Sequence, residues 1–200
     1  MFIRFFAVIS LLLLTSVASS VFAKKNPKAK KVVQKKPVVK KPVVKLPPLA
    51  KPAGTPYYII VDKSDNTLTV YDAEDWLIQY PCTFGSDDLG DKMMEGDRRT
   101  PEGRFYISTK YVHQKWSRFM MLDYPTKSDY DKFNQRKVKG IIPPSAKIGG
   151  AIGIHGTWPH EDWAVENLQS WTQGCVSMKN EDVEELYKML TPGTLVIIQK

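Results

Sequence analysis

At 200 residues the chain suits one domain with appendages, and 42% hydrophobic with 25% charged residues places it in the globular class. The net charge of +8 is unevenly held: residues 24–52 carry eleven lysines and no acid, Arg4 is the one other cation before residue 53, and residues 53–200 hold 17 basic against 21 acidic groups, a net of −4. That balance excludes a basic nucleic-acid-binding domain, and two cysteines exclude a disulfide-stapled scaffold.

Residues 1–23 begin with Arg4, run apolar through 5–14 and end in Val21-Phe22-Ala23, with small side chains at −3 and −1 of a cut after Ala23. This is the layout of a secretory signal peptide, with an uncleaved membrane anchor as the alternative. Both readings export the rest of the chain, to the periplasm or cell envelope. Residues 24–56 form a Lys/Pro/Val-rich linker that repeats Lys-Lys-Pro-Val-Val at 35–39 and 40–44. Prolines prevent a helix there and like charge prevents collapse, so the expectation is a disordered segment near polyproline II with a reach of about 90 Å. It serves as a solvated spacer, or as one that also adheres to an anionic envelope surface.

Residues 57–200 read as the domain. Apolar, β-branched and aromatic runs at 57–61, 68–71 and 76–83, separated by turn chemistry at 63–66 and 72–75, predict an antiparallel meander. The polar stretch 84–100 is too long for a hairpin loop and marks a functional segment. Strand character returns at 103–109 and 119–122, a helix is expected over 128–137 with Tyr130 and Phe133 on one face, and residues 123–144 are expected to cover the site. The Gly-rich run 148–155 reads as a buried strand. Val183, Leu186, Tyr187 and Leu190 share one helical face, with Asn180 as N-cap and Thr191-Pro192-Gly193 as the stop. Residues 195–198 close the chain as a strand, and the class is a β-rich α+β fold.

Two residues carry candidate chemistry. Cys175 lies in Thr172-Gln173-Gly174-Cys175-Val176-Ser177, just before the late helix, where Gly174 permits tight backbone geometry. A helix N-terminus or a cationic neighbour would favour its thiolate. In an exported chain a Cys82–Cys175 disulfide is the competing reading, and Cys82 also reads as a small buried hydrophobe. His155, between Ile154 and Gly156 at the end of an apolar run, suits a base exposed at a strand end, whereas His113 and His160 read as surface residues. Cysteine–histidine catalysis needs the imidazole to take the thiol proton and a third group to orient the ring. The chain has no HExxH and no CxxC, so neither a metal nor another cofactor is expected. Trp158, Trp163 and Trp171 are core residues or walls of a glycan or peptide groove.

His155-Gly156-Thr157, followed after Trp171 by Thr172-Gln173-Gly174-Cys175-Val176, resembles the signature of L,D-transpeptidase (YkuD-type) catalytic domains. The loop Gly96-Asp97-Arg98-Arg99-Thr100-Pro101-Glu102-Gly103 is similar to the family's Thr-Pro-x-Gly loop. Asp123-Tyr124-Pro125 and the approach to His155 resemble the branch with murein L,D-carboxypeptidases and a lipoprotein-releasing amidase. The resemblance implies a YkuD-like mixed β-sandwich with a few peripheral helices, one following the cysteine. It implies that Cys175 attacks peptidoglycan stem tetrapeptides, with His155 as general base and acid. The Gly156 carbonyl would orient His155, and the Gly174 N–H would bind the oxyanion. Thr157, Thr172, Gln173, Ser177, Arg98 and Arg99 would contact substrate, the two arginines as carboxylate binders or else as solvated loop charges. The thioester would pass to an amine, giving 3–3 crosslinks, D-amino acid exchange or attachment of a lipoprotein to the wall. With water as acceptor the same chain is a carboxypeptidase or amidase, and with an idle site it is a wall-binding module. Gln173 stands where most transpeptidases have His, and Ser177 replaces the usual Arg or Asn, which leaves all acid–base duty to His155.

Overall fold

The computed structural model describes residues 56–200; the expected signal peptide, 1–23, and the expected linker up to residue 55 lie outside the described residues. The domain is a mixed sheet of eight strands with three helices. The strands β1 (Tyr58–Asp62), β2 (Thr67–Tyr71) and β3 (Trp76–Pro81) form the antiparallel meander that the alternation predicted. Strands β4 (Gly103–His113) and β5 (Ser117–Leu122) make a hairpin, and helix α1 (Lys127–Val138) follows. Then come β6 (Gly153–His155), helix α2 (Trp163–Glu166), β7 (Val176–Ser177), helix α3 (Asn180–Met189) and β8 (Leu195–Gln199).

The strand order is β3-β2-β1-β8-β4-β5-β6-β7, so the last strand of the chain lies in the middle. β8 runs parallel to β1 (Ile60 opposite Ile197) and antiparallel to β4 (Phe105 opposite Val196). Its unbroken apolar run follows from that place, since a strand covered on both faces has no solvent side to mark with polar residues. The long β4 belongs to both halves of the sheet: residues 103–106 pair with β8 and residues 107–113 with β5, with a register shift at Ile107/Thr109. Both halves and α3 feed one buried cluster, which includes Ile59, Leu68, Ile107, Met120, Ile154, Val176 and Leu186. β7, at one edge, is held by β6 and by an antiparallel bridge between Ser177 and Thr83.

Both predicted helices form, with differences at their ends. α1 starts at Lys127 because Thr126 and Asp129 make a reciprocal capping box. Phe133 is buried but Tyr130 is exposed: α1 packs largely through Lys132 and Arg136, which grip Asp91 at 3.0 and 2.7 Å, and not through an apolar stripe. α3 has Lys179 as its N-cap, so Asn180 is the first helical residue. The Asn180 amide instead donates to Thr157 Oγ1 (3.0 Å) and the Trp158 carbonyl (3.4 Å). Only residues 153–155 of the Gly-rich run are strand.

Candidate active site

Side chains of paired residues on neighbouring strands point to the same face, as do residues two apart on one strand. His155 on β6 is paired with Ser177 on β7, and Cys175 lies two residues before Ser177. His155 and Ser177 therefore share one face, and Cys175 stands at the entry to β7, two residues before Ser177. Thr83, clamped to Ser177 by paired backbone bonds of 2.8 and 2.9 Å, fixes β7 from its other edge.

His155 is 2% exposed and enclosed by rings. Trp116 stacks on it at 4.6 Å between centroids, Phe119 at 5.6 Å, and Trp171 meets it edge-on at 5.4 Å. Its Nδ1 lies 2.7 Å from the Gly156 carbonyl oxygen. A carbonyl can only accept, so Nδ1 carries the proton and Nε2 keeps its lone pair. Burial pulls the imidazole pKa from 6.5 to about 4, against the Gly156 carbonyl, which favours the charged ring; His113 adds to the lowering. The ring is therefore neutral at ordinary pH. His113, expected as a surface residue, belongs to this assembly and stacks on Trp116 at 4.4 Å.

Cys175 sits on a turn that its neighbours hold tightly. Gly174 has φ +123, and a Cβ there would stand 2.7 Å from the Arg99 carbonyl oxygen, so only glycine fits. Thr172 Oγ1 donates to the Cys175 carbonyl (2.8 Å) and accepts from the Gly174 N–H (3.2 Å). That bond occupies the N–H expected to receive the oxyanion, which leaves the Cys175 N–H as the donor at this turn. The Cys175 thiol donates to the Ala151 carbonyl at 3.5 Å. Burial pushes the thiol up to about 11, opposed by the Gly153 N–H and by the Lys92 ammonium.

Lys92 was missed in the sequence, where it stands among other polar residues of the 84–100 stretch. It is 5% exposed, bonds Asp97 at 2.7 Å and the Arg99 carbonyl at 3.4 Å, and lies 3.5 Å from where a Gly174 Cβ would be. It is the cationic neighbour of the thiol. The loop around it is tied rather than loose. Lys63, 1% exposed, holds the Gly90 and Thr100 carbonyls (3.2 and 3.3 Å) and Glu102 (2.8 Å), while Asp97 accepts from the Met93, Met94 and Arg99 N–H groups.

The remaining predicted contacts separate into structural and open ones. Thr157 is fully buried and bonded to Asp162 and Asn180, and Thr172 builds the turn, so neither hydroxyl is presented to a ligand. Arg98 donates to the Thr172 and Ser170 carbonyls (3.3 and 3.2 Å), and Arg99 pairs with the Asp88 carboxylate, so both arginines are engaged within the protein and tie loop 86–102 in place. Gln173 is exposed beside the cysteine. Ser177 is fully buried, and its Oγ has no hydrogen-bond partner. Cys82 is buried in the core, where burial pushes its thiol up, and neither it nor Cys175 is bridged, which removes the disulfide reading. Among the described residues no three His, Cys, Asp or Glu side chains gather as a metal-ligating group, and no helix is long and apolar enough to cross a membrane.

The family model for the L,D-transpeptidase catalytic domain (YkuD) matches residues 56–198. The chain is 26% identical over 149 residues to YqjB of Bacillus subtilis (strain 168), itself only provisionally named an L,D-transpeptidase, with 72% of each chain covered. Among solved structures it resembles Bd1075 of Bdellovibrio bacteriovorus (TM-score 0.54, 19% identity, 73% of this chain and 48% of that one). It also resembles Pgp2 of Campylobacter jejuni, described as a helical cell shape determining protein (TM-score 0.53, 24% identity, 72% of this chain and 47% of that one). The chain spans about half the length of these two proteins, and at such identities they share its fold.

Proposed function

Because the chain belongs to the L,D-transpeptidase catalytic domain (YkuD) family, we propose that it is a cysteine acyltransferase acting on peptidoglycan stem tetrapeptides outside the cytoplasm. The observation that supports this reading is His155 on β6 beside β7, whose entry carries Cys175, with the imidazole tautomer fixed by Gly156. Residues 1–23 direct export, and residues 24–56 tether the domain in the envelope.

The thiol turns from Ala151 to His155 Nε2, which takes its proton as Sγ attacks the carbonyl carbon before the terminal D-alanine. The oxyanion gathers at the Cys175 N–H, a type of donor worth about 3 kcal/mol. The protonated His155 then gives its proton to the departing D-alanine amine, leaving a thioester. An acceptor amine attacks the thioester, His155 takes the acceptor's proton and returns it to the thiolate, and the new amide leaves.

Burial favours the neutral form of both groups, pushing the thiol up and the imidazole down, which suits proton transfer in the course of attack. Gly156 is the orienting group, Gln173 lies where the substrate passes, and Ser177 lines the wall beside the base. Thr157, Thr172, Arg98 and Arg99 shape the turn and loop that hold the nucleophile.

The test is product analysis with the reduced full chain, disaccharide tetrapeptide and a D-amino acid, with Cys175→Ala alongside. Crosslinked dimers or an exchanged D-amino acid establish transpeptidation. Release of D-alanine alone makes the acceptor water, and turnover that survives Cys175→Ala rejects the proposal.

A further inference from the structure

The tip of the β4–β5 hairpin carries a second feature that the chemistry at Cys175 does not use. Val112, His113, Gln114, Lys115, Trp116 and Trp158 line an open groove of about 490 Å³, within the size of small-ligand clefts. Its walls are built. His113 Nδ1 accepts from the Lys115 and Trp116 N–H groups, both at 3.2 Å, and its ring stacks on Trp116. Trp158, 36% exposed, stands at 82° to Trp116 with centroids 6.1 Å apart, making a right-angled indole corner. The Asn180 amide holds the Trp158 carbonyl from α3. The Lys115 ammonium lies 5.2 Å from the Trp158 ring and, among the described residues, makes no ion pair.

We propose that this groove binds an N-acetylated amino sugar, the stem-bearing ring of the glycan strand. The proposal rests on the stem-peptide reading above and names where the rest of that substrate lies. An indole face packs against the C–H face of a pyranose, and an ammonium without a carboxylate partner donates to hydroxyl and acetamido oxygens. Position agrees as well. Trp116 touches both the groove and His155, so the His155 and Trp158 rings are separated by no more than the two intervals laid end to end, about 11 Å. Three extended residues span about 10 Å, the stretch of stem between the sugar and the carbonyl under attack.

The binding arm of the test uses the full chain carrying Cys175→Ala and a β-1,4-linked tetramer of N-acetylglucosamine, followed by NMR of the indole N–H signals. Shifts at Trp158 are expected, lost in Trp158→Ala and weakened about tenfold in Lys115→Gln, which leaves both indoles in place if the alanine variant folds poorly. The activity arm uses the unmutated enzyme on free tetrapeptide and on disaccharide tetrapeptide. The disaccharide raises kcat/KM about tenfold, and Trp158→Ala or Lys115→Gln removes that advantage without changing the free peptide. Saccharide shifts with no turnover of either peptide keep the groove and retire the substrate reading. Turnover with equal kcat/KM for both peptides and no saccharide shifts overturns the groove and leaves the substrate reading standing. Shifts that persist unchanged in both variants place the sugar elsewhere and also overturn it.

Discussion

The two flanks of the site are built from opposite materials. His155 is walled by Trp116, Phe119 and Trp171, while the turn bearing Cys175 rests on a loop threaded by Lys63, Lys92, Asp97, Arg98 and Arg99. Rings exclude water without offering charge, so His155 is held neutral and its single proton is placed by one carbonyl. The loop offers a fixed cation beside Cys175, though not enough of one to offset burial of the thiol. In the proposed mechanism both groups therefore start uncharged, and attack creates the charge separation.

Removing the base from the aromatic flank has the largest expected effect. In His155→Gln the rings stay packed, and turnover falls about 10²–10⁴-fold in steady-state assays, as loss of a general base would give. Breaking the charged flank comes next. Lys92→Met removes the ion-pair partner of Asp97 and leaves its carboxylate to three backbone N–H groups, and is expected to destabilise the fold by about 3 kcal/mol in urea titration. The double change Lys92→Met with Asp97→Asn recovers part of that loss, and in both variants the pH curve of Cys175 alkylation moves upward.

The third expectation concerns pH. The folded pKa of His155, about 4, lies below the unfolded 6.5, so the unfolded chain binds the proton first. The stability from burying a neutral ring is complete above pH 6.5 and declines as pH falls toward 4, by about 3 kcal/mol at 1.36 kcal/mol per pKa unit. Denaturation curves of the parent and of His155→Gln should diverge across that window alone. The smallest effect is at the turn: Thr172→Val leaves the Gly174 N–H without its acceptor, at about 1–3 kcal/mol, and loosens the nucleophile.

The same contrast explains what could be read from the sequence. The β1–β3 meander and the apolar face of α3 were legible because period-2 and period-3.6 patterns are local. His155 and Cys175 were legible because glycines mark both and the intervening motif resembles a family signature. The central place of β8 was not, since its partners β1 and β4 lie far away in the chain. Lys63 and Lys92 were invisible for a related reason: a lysine in a polar stretch looks solvated until the fold brings carboxylates and carbonyls around it. Thr157 and Thr172, next to the motif residues, looked like ligand contacts, yet each hydroxyl is engaged by a protein partner. The aromatic enclosure of His155 draws on two distant segments, the β4–β5 hairpin with Trp116 and Phe119 and the approach to Cys175 with Trp171, and no spacing announces it.

The most direct test is the intact mass of the full chain, acid-quenched after mixing with disaccharide tetrapeptide. The account predicts an adduct equal to the substrate less D-alanine, located on the peptide containing Cys175 and absent from Cys175→Ala. Turnover without that adduct, or an adduct on another residue that persists in Cys175→Ala, would contradict it.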